Sequence, residues 1–191
     1  PLVGEERFSE DWRARLKALL ALRGKHPLGS ASPGALRAID HAAREWRRRL
    51  RLPDAAGTPS SHALGDLLIH AFPDRIAKLD KAERYQLSGG RGAALRPGSP
   101  LTGEPWLAVS DLMGIGADAR IARAAPFDVD LLQRHYPAHY RTVTTFGFDL
   151  ARQAAQQVVE KRFGAIVLER RVEPARDPEA VRGALIAGIR Q

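Results

Sequence analysis

Apolar residues recur at helical spacing near the start of the chain. Trp12, Leu16 and Leu19 lie on one face, and they follow Ser9, a residue type that often caps the N-terminus of a helix. Glycine is common just beyond helix ends, and the pattern stops near Gly24. This first segment is therefore predicted to form a helix.

A second helix is predicted to begin at Ser32 and Pro33 and to continue to about residue 50. Serine accepts hydrogen bonds from free N–H groups of the first turn, and proline fits the first helical position. The apolar side chains alternate steps of three and four: Leu36, Ile39, Ala43, Trp46 and Leu50. Such spacing is typical of a helix that packs lengthwise on a neighbour, so we expect the two helices to form an antiparallel hairpin.

Pro73 ends a third helical pattern, which begins at Leu64, and the signals then change. Short alternating runs are separated by the turn sequences SGG, GRG, PGSP and TGEP, as in a small antiparallel sheet or barrel. Strands are predicted over residues 84–87, 92–96, 106–112, 119–125, 141–148, 156–163 and 165–172, with a short helix over 128–136. Asp177 and Pro178 begin a last helix.

The predicted fold class is α+β. An N-terminal helical-bundle fragment occupies residues 1–76. A small OB-like antiparallel β-barrel with an inserted helix follows over residues 77–176, and a closing helix occupies 177–191. The run 156–163 is rich in helix-forming residues, and its assignment as a strand rests on the resemblance described below.

Composition suggests a partner and excludes several kinds of site. The 191 residues carry 30 Lys and Arg against 22 Asp and Glu, a net charge of +8 that favours a polyanion such as nucleic acid. Arginine-rich coding bias is the alternative explanation. The absence of cysteine excludes disulfides and thiolate-bound metals, and no apolar run is long enough to span a bilayer. We expect a cytoplasmic protein without a membrane partner. Because the chain begins at Pro1, we also expect it to be a piece of a longer protein.

Five strings carry a resemblance to a known family. They read HAFPDRIA from His70, RYQLSGGRGAAL from Arg84, PLTGEPWLAVSDL from Pro100, ARIARAAP from Ala119 and GAIVLERRVEPARDPEAVRGALIAGI from Gly164. In order and spacing they resemble the region after the motor domains of HrpB-type ATP-dependent helicases, which belong to the DEAH-box class. The helical part of the chain matches that family by position and pattern only.

The resemblance implies a parent protein whose two RecA-like motor domains bind and hydrolyse ATP with Mg²⁺. It implies two partners for this chain: single-stranded nucleic acid, RNA in preference to DNA, and the motor domains of the same polypeptide. The chain has no Gly-rich loop ending in Lys-Ser or Lys-Thr and no D-E-x-H string. We therefore expect this region to hold no cofactor and to be inactive as an ATPase by itself.

Candidate nucleic-acid contacts are arginines on two predicted surfaces. A stripe on the second helix contains Arg44, Arg48 and Arg51, and it either tracks phosphates or is ordinary solvated surface. The basic positions on strands or strand ends of the β unit are Arg91, Arg96, Arg120, Arg123 and Arg162. An OB-like groove would contact a single strand there. Because a strand alternates faces, Arg120 and Arg123 are expected on opposite sides.

Aromatic rings are the other usual component of a single-strand site. The rings available in the β unit are Tyr85, Trp106, Phe146 and Phe148. Trp106 starts a predicted strand and is better explained as a core or edge anchor.

The sequence contains no complete pattern for a metal site or a catalytic site. His135 and His139 are four residues apart, but Pro137 interrupts the helix that a shared metal would need. Asp111 and Asp118 flank a turn, where they form a carboxylate pair or simply solvate the hairpin end. No G-x-S-x-G string positions a nucleophile, so no catalytic or metal-binding residue is expected.

Three functions remain open, and the third is a free-standing single-strand-binding protein. In the first, the chain is an accessory C-terminal region of an ATP-dependent helicase, and it guides single-stranded nucleic acid beside the motor domains by phosphate contacts. In the second, it is a scaffold that docks on the motor domains or on another protein and does not bind nucleic acid. Steep salt dependence of binding favours the first function.

Overall fold

A computed structural model describes residues 9–53, 59–114, 116 and 119–189. The helices in this part of the chain are α1 (Trp12–Arg23), α2 (Pro33–Arg49), α3 (Ala63–Ala71), α4 (Asp130–His135) and α5 (Pro178–Ile189). The strands are β1 (Ile76–Lys81), β2 (Arg84–Leu87), β3 (Gly92–Ala94), β4 (Trp106–Met113), β5 (Arg120–Pro126), β6 (Tyr140–Asp149), β7 (Ala154–Phe163) and β8 (Ile166–Pro174). They are divided between a closed barrel and a separate sheet.

The barrel contains the first five strands in the order β1-β2-β3-β5-β4. Neighbouring strands are antiparallel except β3 and β5, which run parallel. Its interior is filled by Ala77, Tyr85, Leu87, Ala93, Leu95, Leu101, Leu107, Val109, Ala119, Ile121 and Ala124. The buried Tyr85 hydroxyl donates a hydrogen bond to the Glu104 carbonyl at 2.7 Å, so its polar group is satisfied.

The second sheet contains β6, β7 and β8 in sequence order, all antiparallel. It joins the barrel through a core that also includes α3 and α4: Ile69, Ile76, Ala108, Phe127, Leu132, Phe163 and Ile166. The close approach of α3 requires a glycine. A Cβ on Gly65 would lie 2.0 Å from the Pro126 carbonyl oxygen, so no larger residue fits without a backbone shift.

The segment that begins α1 is tied to the barrel. The Ala124 N–H donates to the Glu10 carbonyl at 3.0 Å, and Trp12 Nε1 donates to Ser110 Oγ at 2.7 Å. Asp11, and not Ser9, is the N-cap of the helix, with its carboxylate accepting from the backbone of Arg13. The start of α1 is therefore packed on the outside of the barrel and held there by hydrogen bonds.

Helix α2 starts at the predicted cap, with Ser32 accepting a hydrogen bond from the backbone N–H of Ala35 at 3.4 Å. It contacts α1, and Arg23 pairs with Asp40 at 2.7 Å between the two helices. The contact is shallow, because α1 has no buried residue and α2 buries only Leu36 and Asp40.

The predicted apolar stripe on α2 is therefore largely open. Ile39 is 46% exposed, Trp46 60% and Leu50 61%. We call Ile39, Trp46 and Leu50 the α2 stripe. The spacing correctly describes a helix with one apolar face, but a single neighbouring helix does not cover that face.

The α+β class is confirmed, with an N-terminal helical part, a closed barrel and a C-terminal helix. Two details of the β region differ from the expectation. The strand β1 was not predicted, because it follows directly on the 3₁₀ turn Pro73–Arg75. The strands after residue 139 form a separate sheet instead of continuing the barrel, and the predicted inserted helix, α4, comes between β5 and β6 in the chain. Strand β6 of this separate sheet has no fully buried residue.

Candidate nucleic-acid interface

The register of the barrel places three basic residues in one row across its strands. Lys81 on β1 pairs with Arg84 on β2, Arg84 pairs with Ala94 on β3, and Ala94 pairs with Arg120 on β5. Directly paired residues point to the same face of a sheet. We call Lys81, Arg84 and Arg120 the basic row.

The basic row lies on the outside of the barrel. Strand alternation requires this for Arg84 and Arg120, because the residues next in sequence face the core: Tyr85 is 1% exposed, and Ile121 is 1% exposed. Lys81, Arg84 and Arg120 are themselves exposed. The small Ala94 separates the two arginines, so the surface between their side chains is low and open.

The electrostatics of the row favour an anion. Neighbouring strands are about 4.8 Å apart, so the Cα atoms of Arg84 and Arg120, two strands apart, are separated by roughly 10 Å. This separation is close to the screening length of physiological salt, about 8 Å, which limits their mutual repulsion. Within the described residues, neither Lys81 nor Arg120 has a carboxylate partner. Two cations of the row are thus available to an external phosphate.

Among the predicted contacts on α2, two arginines already have carboxylate partners. Arg44 pairs with Asp40 at 2.6 Å, and Arg48 pairs with Glu45 at 2.5 Å. Hydrogen bonds from Arg23 in the first place, and the charge of Arg44, lower the pKa of Asp40 below its usual value. Both arginines remain more than 70% exposed, at 73% and 76%.

Arg51 has a structural explanation of its own. It follows the C-cap of α2 with φ at 51°, and its N–H donates to the Arg48 carbonyl while that of Leu52 donates to Arg47. These paired hydrogen bonds form a Schellman motif, in which glycine is the usual residue. The side chain is exposed at the end of the helix.

Three of the predicted contacts in the β region are engaged in ion pairs. Arg96 pairs with Glu10 at 2.8 Å, which fastens the segment before α1 to the barrel. Arg123 lies 3.5 Å from Asp111. Arg162 lies on β7 of the second sheet, where its Nε donates to Glu160 at 2.8 Å. The structure therefore does not bring Arg162 into the row on the barrel.

The expected opposition of Arg120 and Arg123 is wrong. Ile121 and Ala124 both face the barrel core although they are three residues apart. The β4–β5 register shifts between Asp111 and Leu112, which inserts an extra residue in β5 and resets the alternation. Arg120 and Arg123 consequently both lie on the outer surface.

Arg91 lies on the turn between β2 and β3, next to Gly92. Arg84 Nη2 is 3.9 Å from the position that a Cβ of Gly92 would take, so Arg91 adjoins the basic row. Arg91 is exposed and has no ion pair within the described part of the chain.

The predicted stacking rings are not on this surface. Tyr85 is inside the barrel, and burial, followed by the charges of Glu104 and Glu83, raises its pKa to about 12. Trp106 is half-buried and meets Phe127 edge-on, with ring centroids 6.2 Å apart. Phe146 and Phe148 lie on β6, and Phe146 is 43% exposed. The basic row therefore has no aromatic partner among these four.

The two histidines considered as metal ligands pack against other aromatic rings. The ring of His135 meets that of His70 edge-on with centroids 4.9 Å apart, and His139 stacks on Phe163 at 5.5 Å. No group of three or more metal-ligating side chains occurs in the described residues. Asp111 carries the ion pair given above, and Asp118 lies outside the described residues. No helix in the described ranges combines the length and apolarity needed to cross a membrane.

Sequence reasoning missed Lys81 and Arg84. The available signal was a two-residue turn, Ala82–Glu83, with a basic residue on either side. In a hairpin such flanking residues pair directly across the strands, and their side chains share a face. Without the strand β1 in the prediction, this pairing could not be recognised.

Comparison with known proteins gives the same answer as the five strings. No protein-family model matches the chain, and no curated protein matches it. A crystal structure of the E. coli DExH-box NTPase HrpB matches 95% of the chain at 27% identity with a TM-score of 0.57. The chain resembles the C-terminal region of HrpB-type helicases. The resemblance predicted from the sequence is confirmed.

A crystal structure described as Escherichia coli DEAH/RHA helicase HrpB shares the fold, with 21% identity over 96% of the chain and a TM-score of 0.57. The chain spans 23% and 24% of the length of these two HrpB chains. The HrpB likeness thus applies to a helicase-associated region and not to a whole helicase.

Proposed function

We propose that this chain is an accessory region of an ATP-dependent helicase and that its barrel holds single-stranded nucleic acid beside the motor domains. The observation that carries the proposal is the basic row, which presents three exposed cations on one face of the barrel. The parent would bind ATP and Mg²⁺ in its motor domains, and the region described here would not hydrolyse ATP by itself. RNA in preference to DNA, and a cytoplasmic location, stay predictions.

The strand order supports an OB-like interpretation of the barrel. An OB-fold is a five-stranded barrel that binds single strands on the face of strands 2 and 3 and on adjoining loops. Here Arg84 lies on β2, Ala94 on β3 and Arg120 at the start of β5, after the β4–β5 turn. This strand order supports assigning the basic row to the oligonucleotide-binding face of such barrels.

Phosphate binding by the row implies little base reading and strong salt dependence. Contacts to phosphates position a strand but carry no sequence information. For single strands the logarithm of the binding constant falls with the logarithm of salt by about 0.7 per phosphate contact. Three contacts would give a slope of about −2.

Fluorescence anisotropy of labelled oligouridine, titrated with the chain at several salt concentrations, tests the proposal. We expect the Lys81→Ala, Arg84→Ala, Arg120→Ala triple variant to lose most of the binding and of the slope. The triple variant Arg44→Ala, Arg48→Ala, Arg51→Ala removes the same charge from α2 and serves as the matched control. Equal losses in both variants would show that net charge, and not the row, carries the binding.

The α2 stripe favours a second function, docking on the motor domains or another protein. Three large apolar side chains exposed by 46–61% along one helix face are more typical of an interface than of a solvated surface. Arginines border this face, so a complementary surface would combine an apolar centre with acidic flanks.

Isothermal titration of the chain with the motor domains of a parent helicase tests docking. Truncation of Trp46 to alanine should weaken the association at least tenfold if it is a central contact, since large aromatic side chains dominate such interfaces. Arg120→Ala should leave that association unchanged. No loss with Trp46→Ala would remove the stripe as the docking surface.

A further inference from the structure

The barrel has an open mouth on the rim next to the basic row. The start of β1, the β2–β3 turn and the end of β4 meet at this rim and enclose a cleft of about 530 Å³. Its lining includes Asp74, Arg75, Leu87, Arg91, Asp111 and Leu112. Ligand sites have volumes of about 300–1,000 Å³ and occur in the mouths of barrels. We call this cleft the barrel mouth.

The floor and walls of the barrel mouth differ in chemistry. Leu87 belongs to the barrel core and is 2% exposed, so the half-buried Leu112 provides most of the apolar floor. The walls carry two guanidinium groups and two carboxylates, so their formal charges cancel. A phosphate gains little from such a set, because each carboxylate opposes what an arginine provides. A flat, neutral group whose edge carries both donors and acceptors matches it better.

Arg75 is held in place before any ligand arrives. Its Nη1 donates to the Ser110 carbonyl at 3.0 Å, its Nε lies 3.6 Å from Asp74, and its guanidinium lies over the Phe72 ring at 5.3 Å. Arg91, which also lines the mouth, is exposed without an ion pair among the described residues. One arginine is thus fixed and the other is available.

We propose that the barrel mouth seats one guanine base of a strand whose phosphates lie on the basic row. Guanine offers two acceptors, O6 and N7, which arginine binds in a bidentate manner, and N–H donors that a carboxylate accepts. Arg91 binds the acceptor edge, Asp111 accepts from the donor edge, and the base lies on Leu112. Uracil has fewer N–H donors and covers less of the floor.

This inference rests on the proposed function, since the row supplies the backbone contacts of the same strand. The two surfaces are continuous. Leu112 lines the mouth while Met113, the next residue, pairs with Arg120 of the row. On the other side, Arg91 precedes Gly92, over which the guanidinium of Arg84 lies.

The test compares oligouridine with the same oligomer carrying one guanosine, and GMP with UMP, by titration of the full chain. We expect the guanosine-containing oligomer and GMP to bind about tenfold tighter than their uridine counterparts. Asp111→Asn replaces an acceptor by a donor and should remove this preference while oligouridine binding remains. Arg91→Gln, on an exposed turn, provides a second variant that does not disturb the Asp111 ion pair.

The outcomes distinguish failure of the guanine site in the barrel mouth from failure of strand binding by the basic row. Equal binding of both oligomers, with GMP no tighter than UMP, would overturn the guanine site and leave the row intact. Preferential GMP binding without oligouridine binding would keep the guanine site and overturn the strand-holding function. Retention of the guanine preference in both Asp111→Asn and Arg91→Gln would also overturn the assignment of these residues.

Discussion

The barrel and the α1–α2 pair differ in how far their apolar side chains are buried. The barrel closes on itself, and its core side chains are 0–4% exposed. The two helices touch, but α1 buries no residue completely and α2 leaves its stripe open. The barrel therefore covers its own apolar core, whereas the helix pair leaves an apolar face exposed.

This difference separates residues that stabilise the fold from residues that are available to partners. In the barrel, alternation sends every second side chain inward, so the outward positions are free to carry cations such as Arg84 and Arg120. In α2, the apolar face itself is outward. The barrel therefore offers charge to a partner, and the helix pair offers apolar area.

The largest expected effect on stability comes from a cavity in the barrel core. Leu107→Ala removes a side chain with 0% exposure and should lower the free energy of unfolding by about 2–5 kcal/mol, since the cavity adds to the lost burial. Leu50→Ala makes the same chemical change at 61% exposure and should cost less than about 0.5 kcal/mol. Urea denaturation of the two variants measures both. Equal costs would mean that the α2 stripe is covered in solution.

A glycine pair tests which helices belong to the barrel. Gly65→Ala places a Cβ 2.0 Å from the Pro126 carbonyl oxygen, which is backbone and cannot move aside easily, and should cost about 1–3 kcal/mol. Gly34→Ala on α2 meets no atom nearer than 4.0 Å and should be neutral or stabilise by up to about 1 kcal/mol. Thermal unfolding of both variants gives the comparison. A neutral Gly65→Ala would show that α3 is not packed tightly on the barrel.

The ion pair between α1 and α2 should respond to acid. The pKa of Asp40 is lowered in the folded chain by hydrogen bonds from Arg23 and then by Arg44, so its contribution is present above the usual value of 3.8 and is lost as the pH falls through the folded value. At neutral pH, Asp40→Asn should lower stability by about 1 kcal/mol. The difference between Asp40→Asn and the unmodified chain should disappear at low pH. An unchanged difference across this range, measured by urea denaturation, would remove the ion pair as its cause.

Local signals predicted much of the fold. The cap at Ser32, the stop at Pro73 and the Gly-rich turns each act over a few residues, and the helices and most strands occur where these signals place them. The ambiguous run near Gln156 is a strand, β7, because it pairs on both sides with long neighbours. Pairing partners of this kind override local helix propensity.

The candidate site was harder to predict from the sequence, because it depends on the register between barrel strands. Lys81, Arg84 and Arg120 are distant in sequence and meet only because β2 and β5 both border β3. The register shift between Ile121 and Arg123 places Arg123 on the outer face, where simple alternation from Arg120 does not put it. Ion pairs such as Arg96 with Glu10 likewise join residues whose proximity no local pattern reveals.

The most direct test of the central claim is the salt dependence of single-strand binding by the unmodified chain and by the Lys81→Ala, Arg84→Ala, Arg120→Ala variant. We predict a slope of about −2 in the logarithmic plot for the unmodified chain and a nearly flat line for the variant. The same slope in both proteins, or no binding by the unmodified chain at low salt, would contradict the assignment of the basic row as the strand-binding surface.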